Sequence, residues 1–226
     1  MNLLTFLQVH NKLDIDKKCI VLLSGGVDSS TLAFLLRNQG YSIEALYFDY
    51  RQGKVNGERI CALTIARKLD IAIHVIETRL PSDSLGNAII NQNPFVIENE
   101  NRLFANVTCM YAMAMVLALT RGFDSIGVGI SADDVRTRPS LGSSFIETIE
   151  KLANISTGHR INILTPFLQK DKPSILRVGS TIDVPYVNTW SCGVDVKKHC
   201  GECAECLARK EAFKEAKLPD PTDYKC

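Results

Sequence analysis

The chain has 226 residues, enough to bury a substantial core, and its composition of 46% hydrophobic and 23% charged residues is ordinary for a globular protein. Its formal net charge of +1 argues against a strongly basic nucleic-acid-binding protein, so we expect no nucleic-acid partner. The longest apolar stretch, residues 110–119, is about half of a bilayer span, and residues 1–10 lack a secretory pattern, so we expect a cytoplasmic protein without a membrane partner.

Strand and helix patterns alternate along the chain. Apolar runs predict five strands, at residues 19–23, 42–50, 71–77, 125–130 and 160–166. Periodic apolar residues predict helices at 2–11, 29–40, 56–70, 104–121 and 144–154, and one after Asp171, an N-cap followed by Pro173. Residues 81–100 and 131–143 are polar and without period, and we interpret them as irregular loops.

This alternation predicts an α/β fold with a doubly wound, mostly parallel five-stranded sheet. We expect one large domain, residues 1–185, and a small helical C-terminal subdomain, residues 186–226. Ligands of such sheets bind beyond the carboxyl ends of the strands. The segments that should converge there are residues 24–28, 49–54, 130–134 and 166–172.

The connection after the first strand, SGGVDSS at residues 24–30, has the composition of a phosphate-binding turn. Gly25 and Gly26 permit a positive φ or a close backbone approach, and the N-terminus of the following helix attracts an anion. Asp28 would repel phosphate unless a divalent cation bridges the two, so it is a candidate Mg²⁺ ligand. The alternative is that Asp28 only caps the helix and the glycines only turn the chain.

Eight cysteines without an export signal indicate reduced thiols or metal ligands rather than disulfides. Four of them lie close together, at Cys192, Cys200, Cys203 and Cys206. Two overlapping C-x-x-C pairs and a fourth cysteine predict a closed structural zinc site. A redox C-x-x-C pair and an iron–sulfur cluster are the alternatives, and His199 is expected to be a bystander because four cysteines already suffice.

The motifs resemble those of known proteins. LSGGVDSSTLAFLL, residues 23–36, resembles the pyrophosphate-binding loop of N-type ATP pyrophosphatases. Followed in order by FDY, TPFLQKDKPSILRVG, TWSC, CGECAECLARKEAF and DPTDY, it resembles the 7-cyano-7-deazaguanine synthase (QueC) family over nearly the whole chain. The resemblance implies an adenine nucleotide alpha hydrolase-like fold and a homodimer. It also implies an enzyme that uses ATP, Mg²⁺ and Zn²⁺ to form C–N bonds, with release of pyrophosphate and AMP.

The resemblance also implies residue roles. The loop residues that would hold pyrophosphate and Mg²⁺ are Ser24, Gly25, Gly26, Asp28 and Ser29. Tyr47 and Phe48 would lie near the adenine, and the four clustered cysteines would bind zinc. Lys172 would neutralise charge on the phosphates or the acyl-adenylate, which makes Asp28 and Lys172 the candidate catalytic residues. The alternative for Lys172 is a solvated lysine in the first turn of a helix.

The segments that surround the deazaguanine in the family differ in this chain. DYRQGK at 49–54 stands for the family's DYGQRH, and SADDVRTRPSLGSSF at 131–145 stands for NAVDYSGYPDCRPEF. The family's arginine–asparagine pair at the start of the long helix has no clear match in this chain, and Arg102 and Asn106 are the nearest polar groups. The candidate substrate-binding residues are Arg51, Gln52, Arg102, Asp134 and Arg136. Alternatively, Arg51, Arg136 and Arg138 are ordinary surface charges.

The ATP and zinc motifs thus match those of the family, whereas the segments that recognise the base differ. Two hypotheses follow. In the first, a QueC-like paralogue adenylates a small deazaguanine acid, of the 7-carboxy-7-deazaguanine type, and transfers the acyl group to a nitrogen nucleophile, an amine on a partner protein in an antiphage defence system. In the second, a true 7-cyano-7-deazaguanine synthase uses ammonia in queuosine biosynthesis. Remote alternatives are a tRNA-thiolating relative and a non-catalytic zinc-binding module.

Overall fold

The structure is a computed structural model that describes residues 17–49, 55–77, 100–194 and 197–225, without the side chains of residues 55–56, 100–106 and 140. The predicted helix at 2–11, nearly all of the predicted loop at 81–100, and Arg51 and Gln52 lie outside these residues. The strands are β1 (Lys18–Leu22), β2 (Ser42–Asp49), β3 (Ile73–Glu77), β4 (Ser125–Val128) and β5 (Asn162–Leu164). The helices are α1 (Val27–Asn38), α2 (Val55–Leu69), α3 (Glu100–Arg121), α4 (Ala132–Thr137), α5 (Ser143–Thr157), α6 (Lys172–Ser180) and α7 (Ala204–Ala216).

The five strands form one sheet in the order β3-β2-β1-β4-β5. All of their pairings are parallel, so the predicted doubly wound α/β sheet is confirmed. From β1 the chain moves outward through β2 to β3 and then returns to β4, on the other side of β1. The topological switch point therefore lies between β1 and β4, where the connections after both strands leave room for a ligand.

Alternating side chains of β1 supply both faces of the core. Cys19 and Val21 lie in one cluster with apolar residues of α1, α2 and α6. Ile20 lies in the opposite cluster with residues of α3 and α5. Because β1 is covered on both faces, it is a continuous apolar run rather than an alternating one, and its strand neighbours hold it at the centre of the sheet.

The C-terminal part packs against the sheet domain through a third apolar cluster. Tyr186 and Phe213 meet Val27 of α1 and Leu176 of α6 there, and the two aromatic rings contact edge to face at 5.6 Å. Residues on both sides of the predicted boundary at 185/186 thus share a core. The division into two domains stays a prediction.

Residues 131–143, predicted to be irregular, contain α4 and a short 3₁₀ turn, Pro139–Leu141. A capping box explains the start of α4. Ser131 Oγ accepts a hydrogen bond from Asp134 N at 3.2 Å, and Asp134 Oδ2 accepts one from Ser131 N at 2.9 Å. This S-x-x-D pattern was visible in the sequence, but six helical residues are too few to show an apolar period.

No helix in the described ranges is long and apolar enough to span a membrane. The predicted helix at 104–121 begins earlier, at Glu100. The last predicted strand is shorter than expected, Asn162–Leu164, because only these residues pair with β4.

Gly25 should tolerate alanine less well than Gly158. Both have positive φ, +82° and +67°, but a Cβ on Gly25 would lie 2.4 Å from the Glu58 carbonyl oxygen of α2, whereas a Cβ on Gly158 meets nothing within 4 Å. Gly158→Ala should cost about 1–2 kcal/mol for the left-handed conformation alone. Gly25→Ala should cost measurably more in urea unfolding followed by circular dichroism. Equal losses would contradict the close packing of the loop on α2.

Candidate active site

The loop after β1 is held by its own hydroxyl groups. Ser24 N donates to Ser29 Oγ at 3.2 Å, and the Ser24 and Ser29 hydroxyls are 2.9 Å apart. Gly26, which has no side chain, is the N-cap of α1. The first-turn N–H groups of a helix have no intrahelical acceptor, so this turn presents donors to the crevice at the switch point.

Asp28 pairs with Lys172 across the crevice. The Lys172 Nζ and Asp28 Oδ2 atoms are 2.9 Å apart, and the two side chains are 33% and 13% exposed. Asp28 therefore does not serve as the helix cap, and Lys172 is not a freely solvated lysine. The other carboxylate oxygen, Asp28 Oδ1, is buried and has no hydrogen-bond partner among the described residues.

Burial and neighbouring charges shift the pKa values of both members of this pair. Burial raises the pKa of Asp28, and the Lys172 ammonium opposes that rise. Burial disfavours the charged lysine, but the carboxylates of Asp28, Asp134 and Asp133 outweigh it and raise the pKa of Lys172. Lys172 thus carries its positive charge at neutral pH, directly beside the loop.

Two cavities meet at the loop and share Ser24. The larger, about 340 Å³, is lined by the charged groups of Asp28 and Lys172 and by Gly129 after β4. The smaller, about 170 Å³, is lined by Tyr47 and Phe48 at the end of β2, together with leucines, a methionine and the acidic residue Glu58. The sequence-predicted convergence of strand ends is found for the segments after β1 and β4 and before α6. Asp49 instead pairs with Arg59 at 3.2 Å.

The four clustered cysteines form a compact sulfur site. Their Sγ atoms all lie within 4.8 Å of one another, and three pairs are 3.6, 3.9 and 3.9 Å apart. Four sulfurs placed about 2.3 Å from one ion at tetrahedral angles are about 3.8 Å apart, so the donor set fits a single tetrahedral metal ion. All four are free thiols.

Backbone N–H groups favour the deprotonated form of one of these thiols. The N–H groups of Glu202 and Cys203 lower the pKa of Cys200 to about 6, whereas burial raises the pKa of Cys206 to about 12. His199 stays outside the sulfur site. Burial lowers the pKa of His199 to about 4, and its neutral Nε2 accepts a hydrogen bond from Ser191 N at 3.1 Å.

Two residues that we did not single out in the sequence complete the larger cavity. Trp190 N donates to the Gly25 carbonyl at 2.8 Å, and Arg209 lies with only 2% of its surface exposed beside the same cavity. Arg209 follows Cys206 by one helical turn, so both share the buried face of α7. That spacing was the only sequence signal for Arg209, because its partners come from distant segments.

The predicted substrate-binding residues are only partly assembled. Asp134 lines the larger cavity, with its carboxylate bound to Ser131 and, at 3.4 Å, to Arg138. Arg136 points outward, 78% exposed, and pairs with Asp133 at 2.9 Å. Arg102 lies in α3, and its side chain is outside the described part of the chain.

Comparison with known proteins decides the family. Residues 18–217 match the model of the family described as Queuosine biosynthesis protein QueC. The chain belongs to the QueC family. It is 35% identical over 221 residues to the 7-cyano-7-deazaguanine synthase of Methanoculleus marisnigri, which covers 92% of this chain and 99% of that relative. It is 32% identical to the synthase of Campylobacter fetus, over 92% and 98% of the two chains.

Solved structures share the fold at lower identity. The NMN synthetase of Francisella tularensis superposes with a TM-score of 0.54 at 15% identity, over 89% of this chain and 84% of that one. A 4-thiouridine synthetase in complex with RNA and ATP gives a TM-score of 0.51 at 17% identity, over 89% and 50%. These likenesses confirm the predicted fold of this QueC-family chain, which is adenine nucleotide alpha hydrolase-like.

The Asp28–Lys172 pair should be visible as an energetic coupling. Lys172→Met leaves a buried carboxylate and should lower the free energy of unfolding by about 2–3 kcal/mol, less than a fully buried pair because Lys172 is one-third exposed. The double variant with Asp28→Asn should lose at least about 1 kcal/mol less than the sum of the two single losses. Urea unfolding of the four proteins measures this.

Arg136→Met provides the matched control, because it also removes a cation from an ion pair with an aspartate, but from an exposed pair. It should change stability by no more than about 0.5 kcal/mol. Additive losses for Asp28 and Lys172 would contradict a direct interaction between them.

Proposed function

We propose that this QueC-family chain is an ATP-dependent enzyme that adenylates a 7-carboxy-7-deazaguanine-type carboxylate and transfers the acyl group to a nitrogen nucleophile. The observation that carries the proposal is the pair of cavities that share Ser24 in their linings, one with Asp28 and Lys172 and one with Tyr47 and Phe48. An adenine nucleotide has the same division, since its base is flat and largely apolar and its phosphates are anionic. The named relatives are 7-cyano-7-deazaguanine synthases, which supports the acid.

In the proposed reaction, the loop amides and the Ser24 and Ser29 hydroxyls hold the β- and γ-phosphates. A carboxylate oxygen of the acid attacks the α-phosphorus, the bond to the bridging oxygen breaks, and pyrophosphate leaves with that electron pair. The nitrogen nucleophile then attacks the acyl carbon, AMP leaves with the carbon–oxygen electrons, and the nitrogen loses a proton. Lys172 stabilises the negative charge that develops on phosphate oxygens in both steps.

The residues present fit a divalent cation in the same site. Asp28 Oδ1 is a buried carboxylate oxygen without a partner among the described residues, and oxygen is the ligand that Mg²⁺ prefers. When bound, Mg²⁺ would neutralise phosphate charge and remove the repulsion between Asp28 and the nucleotide. Lys172, whose Nζ lies 2.9 Å from Asp28 beside the same loop, would contact the phosphates.

We propose that the sulfur site holds zinc in a structural role. The sulfur–sulfur distances of 3.6–3.9 Å support a single ion, because a [4Fe–4S] cluster places four iron atoms between the sulfurs and holds them farther apart. Four protein ligands fill a tetrahedral shell and leave no position for substrate. The metal would thus fix the C-terminal segment against the loop rather than take part in the reaction.

Different observations favour different nitrogen nucleophiles. The names of the relatives favour ammonia, which gives an amide that must then lose the elements of water to become the nitrile. The segment after β4 favours an amine on a protein. The Asp134 carboxylate of this segment is already bound by Ser131 and Arg138. Arg136 faces solvent, where an acceptor protein can contact its side chain.

The purified protein with ATP, Mg²⁺ and 7-carboxy-7-deazaguanine should release AMP and pyrophosphate. Asp28→Asn should lower this rate by at least about 100-fold, because it removes the charge that holds both Lys172 and the cation. Lys214→Ala removes an exposed cation that pairs on the surface with Glu211 at 3.0 Å, and it should leave the rate unchanged. Chromatographic measurement of AMP tests the prediction.

The product of the same assay separates the candidate nucleophiles. A free nitrile formed with ammonia identifies a 7-cyano-7-deazaguanine synthase, and a mass increase on a protein identifies a conjugating enzyme. Release of no AMP by any acid and amine tested, or an unchanged rate in Asp28→Asn, would contradict adenylation at this site.

Cys206→Ser should lose bound zinc, because it removes the buried fourth ligand of the sulfur site. Cys109→Ser is the matched control, since Cys109 is an exposed cysteine of α3 away from the cluster, and it should keep one zinc ion per chain. Metal content is measured by atomic emission, with iron and acid-labile sulfide assayed in parallel. Stoichiometric iron with sulfide would contradict the zinc assignment.

A further inference from the structure

A buried arginine joins the sulfur site to the nucleotide loop. The Arg209 guanidinium donates from Nη1 to Thr189 Oγ1 at 2.9 Å and to Ser191 Oγ at 3.1 Å. Its Nη2 donates to the Tyr186 carbonyl at 2.8 Å. One planar group on α7 therefore holds three residues of the segment that leads into Cys192, on both sides of Trp190.

The other edge of the guanidinium is fixed by the C-terminal tail. Arg209 Nε donates to Thr222 Oγ1 at 2.6 Å and lies 3.5 Å from Asp220 Oδ1. Its partners thus come from two separate segments, and only a planar fork of donors reaches both at once. With its donors engaged by protein, Arg209 is suited to position the backbone rather than to bind phosphate.

Residues 190–192 touch both sites directly. Trp190 N donates to the Gly25 carbonyl at 2.8 Å, while its indole Nε1 donates to the Cys192 carbonyl at 3.0 Å. The indole also packs so closely on α2 that a Cβ on Gly57 would lie 2.3 Å from Trp190 Cε2. Cys192, a ligand in the proposed zinc site, and Trp190, which contacts the phosphate loop, are therefore two residues apart in one closely packed segment.

We propose that Arg209 is a positioning residue that couples metal binding in the sulfur site to nucleotide binding in the loop. The inference rests on the zinc and ATP sites of the proposed function. Cys192 and Cys206 are held in one geometry when metal is bound, Arg209 carries that geometry to residues 189–191, and Trp190 holds Gly25. Because coupling between two binding sites is reciprocal, a bound nucleotide should tighten zinc binding by the same factor by which zinc tightens nucleotide binding.

The experiment measures the zinc affinity of the full chain by competition with a chromogenic chelator, with and without a saturating non-hydrolysable ATP analogue and Mg²⁺. In the unmodified protein the analogue should tighten zinc binding by about fivefold or more. Arg209→Lys keeps the charge but loses the planar fork. Thr189→Val removes one acceptor of Arg209, together with the hydroxyl's own hydrogen bond to the Tyr186 carbonyl at 2.8 Å, with little change of shape. Both variants should bring the ratio of the two affinities close to one.

Lys210→Ala is the matched control. Lys210 is the neighbouring cation on α7 and donates to the Gly201 carbonyl beside the cysteines at 2.8 Å. Whatever it does to the zinc affinity itself, this variant should keep the unmodified ratio. A purely structural Arg209 would instead lower zinc affinity equally in both conditions, and an unchanged ratio in Arg209→Lys and Thr189→Val would overturn the proposal.

The same protein separates failure of the coupling from failure of the proposed function. Binding of the ATP analogue is measured by calorimetry on the zinc-loaded chain. Absence of analogue binding, or absence of zinc binding, overturns the proposed sites and the coupling together. Analogue binding with a ratio of one in the unmodified protein overturns the coupling alone. This measurement needs no variant, so it decides the question even when a variant fails to fold.

Discussion

The absence of a side chain at Gly25 is the constraint on which the rest of the site depends. A Cβ there would lie 2.4 Å from the Glu58 carbonyl oxygen and 2.8 Å from Ala62 N, so the loop can lie against α2 only as glycine. The carbonyl of the same residue accepts the hydrogen bond from Trp190 N. The end of the central strand, α2 and the C-terminal segment therefore meet at one backbone position. Gly129 serves the neighbouring connection, because a Cβ on it would lie 2.8 Å from Ser29 N.

The charges in the larger cavity are balanced in two different ways. Arg209 is almost fully buried, and its donors are engaged by hydroxyl and carbonyl groups of the protein, which makes it a fixed element of the scaffold. Asp28 and Lys172 compensate each other at one carboxylate oxygen only, and the second oxygen has no partner among the described residues. A buried polar atom left without a partner is costly, and such atoms concentrate where a ligand completes the site. The cavity therefore separates Arg209, which holds the backbone, from an ion pair that leaves one carboxylate oxygen available to a ligand.

The segment after β4 contacts the backbone at the start of α6, where Lys172 lies. Asp133 Oδ2 accepts a hydrogen bond from Lys172 N at 3.0 Å, and Ala132 N donates to the Lys170 carbonyl at 2.8 Å. Both contacts use the backbone of residues 170–172, and on α4 they need only the Asp133 carboxylate and the Ala132 N–H, so the exposed Arg136 takes no part in them. Exposed side chains of α4 can therefore differ between QueC-family chains while Asp133 and the start of α6 stay in contact.

The sequence by itself determined the α/β alternation, the glycine and hydroxyl loop and the four-cysteine cluster, because each of these is a local pattern whose physical meaning depends on near neighbours in the chain. Local patterns were not enough for α4, whose capping box was present without an apolar period, or for Arg209 and Trp190, whose burial depends on partners in other segments. Only the tertiary structure decided that Asp28 pairs with Lys172. The parallel sheet brings the end of β1 and the start of α6 to one edge, and the low-dielectric crevice there makes two distant charges depend on each other.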